Sequence, residues 1–345
     1  MSKILPVPTG VPQGSILGPL LYIIFTNELP ELVHEHEAKN NQLYNMSCPE
    51  CGNLCCYADD STFSFSSCST DTISSKITEQ YGVISDFMSN NKLKLNGDKT
   101  HLMLLATGNA WRSKLTDDSI KLNTGQEIIG TSKTEKLLGG LINQNLKWTE
   151  HILLSEESLV KKLGTRLNAL KMIGKVADFK TRKMFADGLF MSKLIYLIPL
   201  WGGCEKFLIK ALQILQNKAA RSVTRLGIYT PVKTLLNQCG WLSVHQLVFF
   251  HTVVLLYKTL QFESPGYLFS MTGRDYNYKT RAKDAGKLRI VPEYKLDNEL
   301  NFKSYRWRSI RSWNQLPLNI TSITSLDKFK VQLKAWVKNN IDIYP

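Results

Sequence analysis

The stretch that decides the fold is Leu54-Cys55-Cys56-Tyr57-Ala58-Asp59-Asp60-Ser61-Thr62-Phe63-Ser64-Phe65. An apolar run leads into two adjacent aspartates, and an alternating run of β-favouring residues follows at once. This pattern predicts two strands joined by a tight turn, with Asp59 and Asp60 at the tip. Two carboxylates at a rigid turn suit Mg²⁺, a hard cation that takes oxygen ligands and keeps positions open for substrate phosphates. The alternative is an ordinary solvated turn.

The composition is that of a globular chain, because 43% of the 345 residues are hydrophobic and 21% are charged. Residues 1–100 contain 6 lysines and 11 acidic residues, a net charge of −5. Residues 101–345 contain 37 basic and 18 acidic residues, a net charge of +19. The basic portion predicts a polyphosphate partner such as nucleic acid, although lysines that only keep helices soluble would give the same excess.

The sequence predicts an intracellular protein, cytoplasmic or nuclear, without a membrane span. Its first six residues have a short apolar run that ends in proline, unlike a signal peptide. The longest apolar stretch, Leu247–Leu260, is interrupted by His251 and Lys258 and is too short to cross a bilayer. Seven cysteines without an even framework of spacings favour reduced thiols.

Hydrophobic periodicity predicts an α+β fold. A loop rich in glycine and proline at 9–19 precedes a helix at Leu20–Leu29, which is capped near Ser15. Besides the hairpin, strands are predicted at Lys92–Asn96, His101–Ala106 and Lys136–Ile142. Further helices are predicted at about Thr70–Asn90, 149–174, 180–198, 205–226, 243–261 and 325–340.

Several blocks occur in a characteristic order: Gly10-Val11-Pro12-Gln13-Gly14-Ser15, then Tyr57-Ala58-Asp59-Asp60, then Leu95-Asn96-Gly97-Asp98-Lys99-Thr100, then Leu137-Leu138-Gly139-Gly140. In these blocks the chain resembles the reverse transcriptases of LINE-type, non-LTR retrotransposons. They look like the palm motif at the nucleotide and template site, the metal-binding hairpin, the palm lysine motif and the primer-grip hairpin. Gln216–Arg221 and Trp313–Pro317 are similar to blocks beyond the polymerase core.

The resemblance implies DNA synthesis on an RNA template, from a DNA primer and dNTPs, by nucleotidyl transfer with two Mg²⁺ or Mn²⁺ ions. Asp59 is then the first candidate for a metal ligand and Asp60 the second. Lys99 would stabilise the leaving pyrophosphate, or it is an ordinary surface charge. The residues expected to contact the nucleotide or the template are Gln13, Gly14, Ser15 and Tyr57.

The chain departs from the family pattern at the metal site. The family carries another metal-binding aspartate upstream of the Pro-Gln-Gly block, and here no aspartate precedes Asp59. Two aspartates at one turn hold two mutually repelling divalent ions poorly. We therefore expect that this polypeptide, which lacks the fingers as well, does not polymerise DNA alone. The alternative is a catalytically dead remnant that binds RNA or DNA through its basic portion.

Cysteines form a second candidate site, since Cys48 and Cys51 have the spacing of a zinc half-site. Cys55 and Cys56 follow, but neighbouring residues of a strand point to opposite faces, and no second Cys-x₂-Cys exists. A loop with free or buried cysteines is the alternative.

The segment Lys303–Trp313 interleaves aromatic residues with Arg306, Arg308 and Arg311. Stacking and phosphate pairing would suit single-stranded RNA or DNA. In a helix, Trp307, Ile310 and Trp313 would instead pack inward while the arginines face water, and both roles are compatible. The resemblance implies a partial palm at 1–145 and a helical thumb at 146–230, followed by a basic helical region at 231–345.

Overall fold

The computed structural model of the chain describes residues 14–33, 52–66, 70–105, 120–125, 127–272, 287–288 and 303–344. The chain divides into two compact units. The first comprises Met1–Leu104 and Asn109–Lys133, and the second comprises Leu105–Gly108 and Thr134–Pro345. Helices predominate and the sheets are small, which is compatible with the predicted α+β class. The boundaries predicted at 145 and 230 stay predictions.

The first unit combines helices with two-stranded sheets. Its helices are α1 (Gly18–Thr26) and α2 (Thr70–Asn90), and a 3₁₀ turn covers Gly97–Lys99. Its strands are β1 (Gly52–Tyr57), β2 (Asp60–Phe65), β3 (Leu102–Met103), β4 (Leu122–Asn123), β5 (Ile128–Ile129) and β6 (Thr131–Ser132). The pairs β1–β2 and β4–β5 are antiparallel, whereas β3 and β6 are parallel.

A small core joins α2 to the hairpin β1–β2. Its buried side chains are Leu29, Val33, Ile84, Phe87 and Met88. Leu54 of β1 and Phe63 of β2 are cross-strand partners and pack against this cluster. Because side chains alternate between the faces of a strand, burying this pair fixes the register of the hairpin.

The strand predicted at Lys92–Asn96 is wrong. Lys92 takes a φ of +58° after α2, and the Leu93 N–H donates to the Met88 carbonyl oxygen at 2.8 Å. Leu93 and Leu95 pack against the small core. The alternating sequence pattern therefore reflects side chains that are alternately buried and exposed, in a segment that forms no strand. The strand predicted at His101–Ala106 is reduced to β3.

The second unit contains an antiparallel hairpin, β7 (Thr134–Leu137) and β8 (Gly140–Asn143), and its other described elements are helices. Its α-helices are α3 (Leu159–Ile173), α4 (Phe179–Phe185), α5 (Ser192–Ile195), α6 (Ile198–Trp201), α7 (Lys206–Thr224), α8 (Val232–Cys239), α9 (Val244–Phe262), α10 (Gly266–Ser270), α11 (Tyr305–Asn314), α12 (Leu318–Thr321) and α13 (Leu326–Asn340). Two π-helical segments cover Glu150–Leu154 and Ala186–Met191. Over the described ranges no single helix has the length and apolar content to cross a membrane; α8 and α9 meet that test only as a pair bent by 45°.

The core of the second unit is large and rich in aromatic residues. Tyr257 of α9 stacks on Phe329 of α13, with ring centroids 3.9 Å apart, and Trp313 of α11 lies 6.1 Å from Phe329. The Tyr257 hydroxyl is satisfied, because it donates to the Ile323 carbonyl oxygen at 2.9 Å. These rings join three helices that are distant in sequence, and their burial outweighs any local helix propensity.

The predicted helices of this unit are present, with breaks that periodicity did not indicate. The helix predicted at 149–174 is a π-helical segment followed by α3. The helix predicted at 180–198 ends at Ile195, because Tyr196 is extended and Leu197 takes a φ of +57°. A left-handed residue ends a helix, and α6 then begins at Ile198 in a new direction.

Candidate functional site

The two aspartates lie at the turn of hairpin β1–β2. Tyr57 pairs with Asp60, so Ala58 and Asp59 alone connect the strands. Ala58 adopts a φ of +53°, a conformation that two-residue hairpin turns require and that glycine or asparagine usually supplies. Both carboxylates are exposed. The predicted hairpin and the place of Asp59 at its tip are confirmed, whereas the roles of the two aspartates stay predictions.

Helix α1 brings Tyr22 near this turn. Burial raises the pKa of Tyr22 above its ordinary value, and the negative charge of Asp59 and then Cys56 raises it further. The phenol therefore stays protonated and remains a hydrogen-bond donor in the neighbourhood of Asp59. The charge of Asp59 thus acts on a side chain of the helix that follows the Pro-Gln-Gly-Ser block.

The start of α1 is shaped by the block that precedes it. Gly14 takes a φ of +83°, and the Ser15 hydroxyl accepts a hydrogen bond from the N–H of Gly18, the first residue of the helix, at 3.0 Å. The N-cap residue is Leu17, which makes no side-chain cap bond, so the predicted cap near Ser15 is confirmed only as this one hydrogen bond. Gln13 lies outside the described residues. Tyr57, the fourth predicted substrate contact, is 66% exposed.

Lys99 ends a short turn in the same unit. The Lys99 and Thr100 N–H groups donate to the carbonyl oxygens of Asn96 and Gly97, at 3.1 and 2.9 Å. The Lys99 side chain is exposed. In the described part of the chain, no hydrogen bond or ion pair joins Lys99 to either aspartate, so its predicted action on pyrophosphate stays a prediction.

The donor set near the hairpin tip fits only part of a divalent-cation site. Asp59 and Asp60 offer the hard carboxylate oxygens that Mg²⁺ prefers. Among the residues that the structure describes, no three His, Cys, Asp or Glu side chains are arranged to hold a metal ion. Cys48 and Cys51 lie outside those residues, so the zinc site stays a prediction.

The block Leu137–Gly140 forms the turn of the second hairpin. Leu138 and Gly139 take φ values of +46° and +81°, as in a type I′ turn. The single strand predicted at Lys136–Ile142 is therefore wrong, since the chain reverses at these two residues; the hairpin expected from the resemblance is present. The Tyr196 hydroxyl donates to the Leu138 carbonyl oxygen at 2.5 Å and so holds the turn against the end of α5.

A cluster of basic side chains surrounds this hairpin, and the sequence reading missed it. Its members are Lys136, Lys162, Arg166 and Lys193, which we call the basic cluster. Burial lowers the pKa of Lys193, and the charges of Lys162, Arg166 and Lys136 lower it further. Glu157 is the acidic partner, and its carboxylate lies 2.5 Å from Lys136 Nζ and 3.0 Å from Lys162 Nζ. One carboxylate faces four cations, so the cluster keeps a positive excess that suits a phosphate-rich ligand. The i, i+4 spacing of Lys162 and Arg166 was the one signal visible in the sequence.

His151 ties the π-helical segment to the second hairpin. Its Nδ1 accepts a hydrogen bond from the Leu141 N–H at 3.2 Å, which requires the neutral ring. Burial lowers the pKa of His151 to about 4, and the charges of Lys193 and Lys162 act in the same direction. Proton binding would therefore break a contact of the hairpin and add a fifth positive charge beside the basic cluster.

The three arginines of α11 do not share one environment. Arg308 donates from Nε to the Lys303 carbonyl oxygen at 3.1 Å and from Nη2 to the Pro199 carbonyl oxygen at 2.5 Å. Burial lowers its pKa to about 10. The expectation that all three arginines face water is wrong for Arg308, because Pro199 and Leu200 of the four-residue helix α6 leave carbonyl groups that require a donor. Arg306 is half-buried, and Arg311 is exposed.

The aromatic residues of this segment follow the inward-packing alternative in part. Ile310 and Trp313 are 1% and 6% exposed, whereas Trp307 is half-buried. The Ser304 hydroxyl accepts a hydrogen bond from the Trp307 N–H at 3.4 Å and caps the helix. Packing of α11 against the core therefore accounts for Ile310 and Trp313.

Comparison with known proteins agrees with these blocks. Residues 2–166 match the family model "Reverse transcriptase (RNA-dependent DNA polymerase)". The chain is 26% identical over 248 residues to a probable RNA-directed DNA polymerase from transposon BS of Drosophila melanogaster, covering 70% of this chain and 25% of that protein. It is 24% identical over 229 residues to the RNA-directed DNA polymerase from mobile element jockey of the same species, covering 65% of this chain and 22% of that protein.

A third relative, a probable RNA-directed DNA polymerase from transposon X-element of Drosophila melanogaster, is 23% identical over 220 residues, 63% of this chain and 22% of that protein. The chain therefore spans about a quarter of the length of these curated relatives. No solved structure gives a significant match. The ordered blocks, the hairpin and the matched residues together support a reverse transcriptase of the LINE-type, non-LTR retrotransposon family.

Proposed function

We propose that this chain provides the palm and thumb of an enzyme that extends a DNA primer with dNTPs on an RNA template. The observation that carries the proposal is the hairpin β1–β2 with Asp59 at its tip, within the residues 2–166 that match the reverse transcriptase family model. Each block alone is short enough to arise by chance. In the proposal the palm covers 1–145, the thumb 146–230 and a basic helical region 231–345.

The exposed position of Asp59 and Asp60 supports a role as ligands of Mg²⁺ or Mn²⁺. Divalent cations bound in such a site neutralise charge on the phosphate oxygens of a nucleotide. Gln13, Gly14, Ser15 and Tyr57 would position the nucleotide or template, and the exposed ammonium of Lys99 would meet the leaving pyrophosphate. Tyr22, a protonated phenol near Asp59, would hold the hairpin tip by donating a hydrogen bond.

By itself the chain does not extend a primer in this proposal. Two carboxylates at one turn supply too few ligands for two ions that repel each other, and the described residues include no third acidic, cysteine or histidine partner grouped with them. Asp59 and Asp60 would therefore act with ligands from elsewhere in the active enzyme.

The alternative function is binding of RNA or DNA without catalysis, and the basic cluster favours it. Lys136 and Lys162 contact Glu157, and Arg166 and Lys193 add two further cations near a hairpin whose turn is fixed by Tyr196. Fixed cations bind phosphates with little ordering cost, and this arrangement does not depend on the hairpin β1–β2. Both functions use the same nucleic-acid-binding surface, and they differ only in catalysis.

Primer extension on an RNA template tests catalysis. We expect purified 1–345 to show no incorporation with Mg²⁺ or Mn²⁺. Robust incorporation that Asp59→Ala abolishes would overturn the statement that the chain is inactive alone and would support Asp59 as a ligand. Incorporation that survives Asp59→Ala would instead point to a contaminating polymerase.

RNA affinity measured as a function of salt concentration tests whether the basic cluster binds nucleic acid. Because each phosphate contact contributes to the slope of log affinity against log salt, the triple variant Lys162→Ala, Arg166→Ala, Lys193→Ala should reduce that slope by about 2 to 3. Lys328→Ala, at an exposed position of α13, is the matched control and should leave the slope unchanged. An unchanged slope in the triple variant would remove the basic cluster from the binding surface.

A further inference from the structure

A turn between α7 and α8 displays apolar side chains to water. The Thr230 N–H donates to the Gly227 carbonyl oxygen at 3.1 Å, so Ile228 and Tyr229 occupy the two central positions. Their side chains are 72% and 93% exposed. Glycine, proline, asparagine and aspartate dominate such positions. An isoleucine and a tyrosine here contribute nothing to the core of the unit.

A second loop, between α3 and α4, lies against the segment that leads into this turn. Arg225 takes a φ of +59° at the end of α7, and its Nε donates to the Gly174 carbonyl oxygen at 3.1 Å. The second loop carries Val176, which is 90% exposed, and follows Met172, which is 72% exposed. We call Met172, Val176, Ile228 and Tyr229 the tyrosine tip.

Arginine side chains that donate to backbone carbonyl oxygens link both loops to the end of α7. Arg182 donates from Nε to the Val223 carbonyl oxygen and from Nη1 to the Ala177 carbonyl oxygen, both at 2.7 Å. Arg221 Nη2 donates to the Ile228 carbonyl oxygen at 3.2 Å. These hydrogen bonds fix the backbone of both loops below the tyrosine tip. Binding through its exposed side chains therefore costs little conformational entropy of the backbone.

The surroundings of the tyrosine tip are strongly basic. Residues 171–183 and 218–233 contain nine lysines and arginines and a single acidic residue, Asp178. Asp178 accepts a hydrogen bond from the Thr181 N–H at 3.0 Å and caps α4. Exposed cations include Lys171, Lys175 and Lys180. A polyanion is the partner that matches this charge.

We propose that the tyrosine tip binds single-stranded RNA, with a base stacked on Tyr229 and the nearby cations contacting phosphates. The inference rests on the proposed function and adds a site to it, remote in sequence from both hairpins. A fully exposed aromatic ring accepts any unpaired base, and such stacking with backbone-tracking cations is how proteins hold single strands without reading sequence. A base within a duplex cannot reach the ring.

An anionic membrane surface is the competing partner, because lysines and apolar side chains also meet there. Nucleic acid is favoured because Tyr229 is 93% exposed and offers a face on which a base can stack, and because the four apolar residues are split between two loops. Vesicles therefore enter the test as an alternative outcome.

The test measures the affinity of 1–345 for a fluorescent 20-nucleotide RNA without secondary structure, for its duplex, and for phosphatidylserine vesicles. Tyr229→Ala should weaken single-strand binding about tenfold or more and leave duplex binding unchanged. Tyr229→Phe keeps the ring and should bind normally, whereas Tyr229→Leu keeps apolar area without a stacking face and should behave like Tyr229→Ala. Tyr267→Ala, another exposed tyrosine of this unit, is the matched control.

Cross-linking gives a second readout that does not depend on a variant. RNA that contains 5-iodouridine should cross-link under ultraviolet light to the peptide that carries Tyr229. The proposal is overturned if the wild type and Tyr229→Ala bind single-stranded RNA equally well, or if only vesicle binding depends on Tyr229. Either result leaves RNA binding by the basic cluster intact. Absence of RNA binding by the wild type would overturn both the binding role of the basic cluster and that of the tyrosine tip, and primer-extension results are unaffected by either outcome.

Discussion

The hydroxyl of Tyr196 donates a hydrogen bond of 2.5 Å to the carbonyl oxygen of Leu138. The two residues are 58 positions apart, and the contact ties the break after α5 to the turn of hairpin β7–β8. A carbon atom of the same ring lies 3.5 Å from where a Cβ on Gly139 would be, so the ring also covers the backbone of the turn. Helix and hairpin are thereby fixed together at the edge of the basic cluster.

Tyr196→Phe should loosen this turn without unfolding the unit. The substitution keeps the ring and removes one partly exposed hydrogen bond, so we expect a loss of about 0.5–1.5 kcal/mol in the free energy of unfolding. Urea denaturation measures the loss, and hydrogen exchange should quicken at Leu138–Leu141. Tyr267→Phe is the control. Unchanged exchange in the hairpin would show that packing of the ring, and not its hydroxyl, holds the turn.

The block that begins at Gln216 stabilises the start of α9. Gln213 Oε1 accepts a hydrogen bond from the Val244 N–H at 2.8 Å, and Gln216 Nε2 donates to the Leu242 carbonyl oxygen at 2.9 Å. Gln213 Nε2 also donates to Gln216 Oε1 at 2.9 Å. This buried network pairs backbone groups that a helix start leaves without partners.

Gln213→Ala should therefore cost about 1–3 kcal/mol of stability, because it removes the partners of the buried Val244 N–H and of the buried Gln216 amide oxygen. Gln238→Ala, at an exposed position of α8, should change stability by less than about 0.5 kcal/mol. Thermal or urea unfolding compares the two variants. Equal effects would show that the network adds nothing beyond ordinary helix propensity.

Acid should destabilise the second unit through two histidines. Burial lowers the pKa of His251 to about 4, and burial followed by Lys193 and Lys162 lowers that of His151 to about 4. Below pH 6.5 the unfolded chain takes up protons at both sites, and the folded chain does so only near pH 4. Stability is therefore complete above about pH 6.5 and falls as the pH drops to about 4.

We expect a loss of about 1–2 kcal/mol per histidine across that window, after allowance for solvent screening. Urea midpoints at pH 7, 5.5 and 4.5 measure it. His251→Gln removes one titrating group and should flatten the dependence by about half. If the variant and the wild type lose stability in parallel, protonation of His251 is not part of the acid response.

The sequence was sufficient for features that depend on neighbouring residues. Alternation around Asp59 predicted the hairpin β1–β2, because two short β-favouring runs have no other way to satisfy their backbone groups. Periodicity predicted helices such as α2 and α9 almost to the residue, since a buried face repeats every three to four positions.

The sequence was not sufficient where distant residues decide the outcome. The break after Ile195 depends on packing, and nothing adjacent to Leu197 indicates its left-handed conformation. The basic cluster draws Lys136, Lys162 and Lys193 from separate elements, so its charge excess is invisible along the chain. Arg308 does not face water as predicted, because it donates to the Pro199 carbonyl oxygen, which lies more than a hundred positions away in the sequence.

Arg308 and Arg311 should separate structural from binding roles within one helix. Arg308→Ala leaves the Pro199 and Leu200 carbonyl oxygens without their donor and should cost about 2–3 kcal/mol. Arg308→Lys should recover little of that loss, because an ammonium cannot span the several acceptors that the planar guanidinium reaches. Arg311→Ala, at an exposed position, should leave stability within about 0.5 kcal/mol.

Measurements of RNA affinity should rank the effects of the Arg308 and Arg311 substitutions in the opposite order. Arg311→Ala should lower the salt slope of RNA affinity by about 1 if its guanidinium contacts a phosphate. Arg308→Ala, measured at a temperature where the variant is fully folded, should leave the slope unchanged, because its guanidinium is committed to backbone carbonyls. A reduced slope for Arg308→Ala and none for Arg311→Ala would mean that α11 rotates or repacks when nucleic acid binds.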